Sequence, residues 1–165
     1  MGLLALALMV LSLRKKAYPY FVSGSLCLAY SVLYLCKHMP PPWLLNSILW
    51  EFVDFFELVL PFVLLVCVFY ISRKKNQNQK RNYLPAVISV LICTTRLVKA
   101  IFSRIYLQKI IDAGSQAIEL VDDSILYTNM NTIVVLILYS ALILTLLWHM
   151  KRYDSIKRAE EITHG

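Results

Sequence analysis

Four long apolar stretches constrain this chain more than any other feature of its sequence. They run from about Tyr18 to Cys36, Leu49 to Ile71, Tyr83 to Tyr106 and Met130 to Trp148. About 20 mostly apolar residues suffice for a helix to cross roughly 30 Å of hydrocarbon, so each stretch is long enough to span a bilayer. Inside a bilayer the backbone must satisfy its own polar groups, which leaves helices as the solution for segments of this kind. The sequence therefore predicts an all-α, polytopic transmembrane helix bundle of four spans. Composition agrees: 59% of the 165 residues are hydrophobic and mean hydropathy is +0.62, against about 45–50% apolar in soluble domains.

The connectors set an expected orientation. Arg14, Lys15 and Lys16 precede the first span. Arg73, Lys74, Lys75, Lys80 and Arg81 follow the second, and Lys151 and Arg152 follow the fourth. All three clusters fall on one side of a four-span chain, and the positive-inside rule makes that side cytoplasmic. The expectation is a multi-pass cell-membrane protein with a bundle over 1–152 and a short cytoplasmic tail over 153–165. The net charge of +7 is spread between apolar runs, so it marks topology and excludes a nucleic-acid partner. The expected partners are the lipid bilayer and, through Gly24, Ser25, Ala29 and Ser31 on the first span, another membrane protein or a second copy. Small residues let helix backbones approach closely.

Local signals shape the ends. HMPPPW at 38–43 breaks the chain on the outer side, with Trp43 and Trp50 suited to that interface and Trp148 to the inner one. Asn82 is a candidate cap for the third span, with Pro85 in its first turn. The N-terminal GLLALALMVLSL covers only about 18 Å as a helix; it is either a short fifth span or an interfacial helix. Ile118, Val121 and Ile125 recur at helical spacing in the outer connector 108–129, which predicts a short amphipathic helix lying on the outer surface.

Charges inside the apolar runs are the candidate site. Glu51, Asp54 and Glu57 share a broad face of the second span, and the third carries Arg96, Lys99 and Arg104. A charge at the bilayer centre costs about 2.5–3.5 kcal/mol on insertion scales, so six such residues do not face lipid. At about 1.5 Å per residue, both sets lie in the outer half at matching depths. The expectation is a neutral ladder between the second and third spans, with Glu57 near Arg96, Asp54 near Lys99 and Glu51 near Arg104. Pro61 kinks the second span and frees the carbonyl of Glu57, for which Thr94 and Thr95 are candidate hydroxyl donors.

Catalytic chemistry is weakly signalled. There is no G-x-S-x-G, phosphate loop or HExxH, and His38, His149 and His164 are scattered. Cys27, Cys36, Cys67 and Cys93 lack metal-ligand spacing and read as small hydrophobes. No catalytic, metal or cofactor site is assigned. PPPW, ELVLPF and PAVISV look a little like the four-span sterol-ligand-binding proteins related to sterol isomerase. The first span has no acid where those proteins carry one, and Arg96 and Lys99 are foreign to the pattern, so the resemblance is set aside. Three classes remain, in this order. The first is a non-enzymatic partner subunit or sensory module. The second is a small transporter or an ion- or proton-pathway protein using the ladder. The third is a lipid- or sterol-active membrane enzyme.

Overall fold

The structure is a computed structural model. It describes the backbone of residues 1–38, 47–73, 83–113 and 118–163, and the side chains of 1–37, 51–73, 83–112 and 121–152. The described residues form five helices: α1 Gly2–Arg14, α2 Tyr18–His38, α3 Ser47–Arg73, α4 Leu84–Ala113 and α5 Ile118–Thr163. Four are long and apolar enough to cross a membrane, over Tyr18–Lys37, Glu51–Arg73, Leu84–Asp112 and Val121–Arg152. The fold is thus an all-α membrane bundle of four candidate spans plus a short apolar helix. HMPPPW, Trp43 and Asn82 lie outside the described residues, as does the side chain of Trp50.

Each helix packs against the next in sequence, and α5 closes back onto α1 and α2. The shared core is built from Leu64, Val68 and Ile71 of α3, Ile88 and Ile92 of α4, and Val135, Leu142, Ile143 and Leu146 of α5. Phe52, Phe55, Phe56, Phe62 and Phe69 are exposed on the outside of α3, where an apolar side chain meets acyl chains at no penalty.

α1 does not stand apart. Lys16, at φ 52°, reverses the chain into α2, and α1 runs back beside it until Gly2 reaches Ser31. Ala5, Leu8 and Ser12 are buried while Leu3, Leu6, Val10 and Leu13 point outward, the one-sided spacing of a packed helix. Gly24 makes the contact possible: a Cβ there would stand 2.8 Å from Met9 Cγ and 3.3 Å from the Ala5 carbonyl oxygen. Part of the small-residue face is therefore occupied by α1, whereas Ala29 is exposed.

One expected element is corrected. The outer connector is not a separate helix lying on the surface. α4 continues to Ala113, and α5 starts at Ile118 and runs on into the fourth span. At about 1.5 Å per residue, α4 is about 45 Å long and α5 about 69 Å, so both extend past the hydrocarbon. Phe102 of α4 stacks on Tyr127 of α5, ring centroids 5.0 Å apart, and ties the two long helices together.

Candidate functional site: a charged cluster between helices

Three helices place charged side chains around one acid. Glu57 lies on α3, one turn before Pro61, with its side chain 15% exposed. Arg96 of α4 donates to its Oε1 through Nη1 at 2.5 Å, and Lys99 Nζ approaches the same oxygen at 3.5 Å. Lys37, at the end of α2, donates to Glu57 Oε2 at 2.8 Å and to Asp54 Oδ1 at 2.5 Å. Both oxygens of Glu57 are thus engaged, by bases from two different helices. Such charge-assisted bonds are the strong kind, and each partner offsets the desolvation of the others.

This arrangement differs from the three-rung ladder. Asp54 meets Lys37 where Lys99 was expected, and Lys99 turns to Glu57. Glu51 and Arg104 are exposed, and among the described residues neither makes an ion pair. The expected neutrality does not hold either. Lys37, Arg96 and Lys99 face Asp54 and Glu57, three positive charges against two negative. The reason is rotational: depth is set by rise along each helix, but Lys37 enters from a third helix that depth matching between two spans does not consider. A Lys at the C-terminal end of the preceding span, with a long stem able to reach into the bundle, was the available signal.

Behind Glu57 the cluster becomes enclosed. The Arg96 side chain is 3% exposed and its guanidinium carbon sits 5.0 Å from the centroid of the Tyr30 ring, a cation–π contact. Tyr30 in turn stacks on Tyr139 of α5, centroids 4.3 Å apart. Asn131 of α5 donates through Nδ2 to the Thr95 carbonyl of α4 at 3.3 Å. Four helices thereby contribute polar groups to one region. Exposure falls from 62% at Asp54 through 31% at Lys37 to 3% at Arg96.

Pro61 sits inside α3 and is buried. Thr94 and Thr95 do not serve the carbonyl of Glu57. They bond back to Val90, Leu91 and Ile92 within α4, a common habit of helical threonines. The Cys93 thiol donates to the Pro61 carbonyl oxygen at 3.3 Å, a link between α3 and α4 that the sequence reading missed. A second polar contact lies at the opposite end of the bundle: Tyr20 of α2 and His149 Nδ1 of α5 are hydrogen-bonded at 2.5 Å. Among the described residues, no group of His, Cys, Asp and Glu is arranged to hold a metal ion.

Geometry and topology together define a multi-span helical membrane module with a charged cluster between its helices. The chain belongs to the family described as the N-terminal 7TM region of histidine kinase, whose model matches residues 1–164. That membership points to a membrane sensory module. The described residues hold four candidate spans and the shorter α1, fewer than the seven in the family's description. Neither the curated proteins nor the solved structures contain a match to the chain.

Proposed function

We propose that this chain is a non-enzymatic sensory input. In this reading the Glu57 cluster, open toward the outer side, holds the bundle in one arrangement, and a change there is passed along α5 to a partner at the inner side. The C-terminal end of α5 is cytoplasmic, in keeping with the base clusters at 14–16, 73–81 and 151–152. The observation that carries the reading is the course of α5. It is helical from Ile118 to Thr163, beginning beyond the cluster, binding α4 through Asn131, and continuing past the last span residue, Arg152. Engagement of both Glu57 oxygens speaks for a structural network over an exchanging transport site, since an exchanging acid needs a free oxygen.

Spin-label distances test this. Labels at Lys16→Cys and Lys157→Cys, in a chain whose native cysteines are serine, report the position of the inner end of α5 relative to α2. The distance distribution shifts when Glu57→Gln is added. An unchanged distribution in folded protein would rule out coupling from the cluster to the inner end. Labelling of Lys157→Cys by a membrane-impermeant thiol reagent from the outside would refute the orientation.

A further inference from the structure

Deep in the cluster the partnerless donors outnumber the one partnerless acceptor, Asn131 Oδ1. Arg96 uses Nη1 for Glu57, while its Nε and Nη2 are buried with no hydrogen-bond partner. The hydroxyls of Tyr30 and Tyr139, both 1% exposed, are equally without partners. A buried guanidinium nitrogen left unpaired is costly, and native interiors leave few such groups unsatisfied. Here several fall in one stack, with Arg96 over Tyr30 and Tyr30 on Tyr139.

Two features distinguish what would satisfy them. The first is charge. Three bases face two acids in this region, and a neutral water molecule supplies acceptors without offsetting the remaining positive charge. The second is shape. Nε and Nη2 lie along one edge of the planar guanidinium, and their two parallel N–H bonds form the fork that matches the two oxygens of a carboxylate. Glu57 has taken the other side and left that fork whole. Resting on the sensory reading above, the geometry points to a binding site for a compact monoanionic carboxylate, seated on the Nε–Nη2 edge of Arg96 with the hydroxyls of Tyr30 and Tyr139 as further donors.

Such a carboxylate has two sources, a water-soluble acid or the head of a fatty acid dissolved in the bilayer. The test uses the full chain in nanodiscs of zwitterionic lipid at low chloride, titrated with isotope-labelled acetate, with laurate, and with chloride, followed by NMR. Saturable binding of acetate identifies a soluble ligand, and binding of laurate without acetate identifies the lipid source; both support the site. Arg96→Lys keeps the charge but removes the fork, and Tyr30→Phe and Tyr139→Phe keep the stacked rings but remove a donor. Each weakens binding by about tenfold or more, the loss expected for one charge-assisted hydrogen bond. Should Arg96→Lys fail to fold, the two phenylalanine variants decide. The inference is overturned if neither carboxylate binds saturably, if chloride alone binds, or if affinity is unchanged in the variants. The spin-label distances are measured without ligand, so a failure of carboxylate binding is separable from a failure of the coupling itself.

Discussion

The two halves of this bundle are held together by different physics. Toward the end where α3 reaches Arg73 and the last span reaches Arg152, Leu64, Val68 and Ile71 of α3 and Leu142, Leu146 and Met150 of α5 belong to one apolar core, and contact there is dispersion between closely packed side chains. Toward the opposite end, α2, α3 and α4 meet through Lys37, Glu57, Arg96 and Lys99. Lipid is as apolar as leucine, so an apolar interface in a membrane gains from fit and from little else. A charged interface has no comparable alternative in lipid. It is satisfied by its partner or it pays desolvation in full, so it fixes which helices meet more sharply than packing does.

The comparison can be broken most forcefully at its hub. Glu57→Gln leaves three bases around a neutral side chain, and removal of one partner from a buried ionic group is worth about 3–5 kcal/mol. The expected result is that much loss in reversible unfolding in mixed micelles, with cleavage sites on α2 and α4 becoming protease-sensitive. If stability is unchanged, that half of the bundle is not held by charge. On the packing side, Gly24→Leu forces side-chain atoms into the space held by Met9 and the Ala5 carbonyl. Overpacking of this kind costs about 1–3 kcal/mol; the same unfolding assay reads it, and a neutral outcome would show that α1 is not seated on α2.

A smaller effect sharpens the gradient within the cluster. Asp54 is 62% exposed where it meets Lys37, and exposed pairs contribute about 0.2–1 kcal/mol. Asp54→Asn should therefore lose no more than that, and a loss as large as that of Glu57→Gln would place Asp54 inside the enclosed part. The smallest effect belongs to Arg104→Gln, which touches no ion pair among the described residues. Its stability should stay within about 0.5 kcal/mol of the parent, whereas the three-rung ladder would require a measurable loss.

How much of this was readable in advance follows from which coordinate each argument used. Rise per residue is nearly constant in a helix, so the contact between Glu57 and Arg96 follows from depth alone. Rotation about the helix axis and the choice of neighbour are not set by depth, and there the reading departed from the structure. Depth pairs Asp54 with Lys99 and Glu51 with Arg104 and takes no account of Lys37, which comes from a third helix. Tyr30 and Tyr139 were hidden for another reason: a tyrosine within an apolar run looks like any other large hydrophobe until its hydroxyl is found without a partner. The length of α4 and α5 was obscured by Asp112, Glu119, Asp122 and Asp123, which end the apolar pattern without ending the helix. The fold itself depended only on span length and composition, and these are properties a linear sequence displays directly.

α5 contains neither glycine nor proline along its 46 residues, so it lacks the usual places where a helix bends. Among the described residues, Asn131 is held to α4 and His149 to α2 by polar contacts. They are eighteen residues apart, about five full turns at 3.6 residues per turn, and so share one azimuth about the shaft. Asn131 and His149 thus lie on a single line along α5, so a rotation about its axis moves both contacts together.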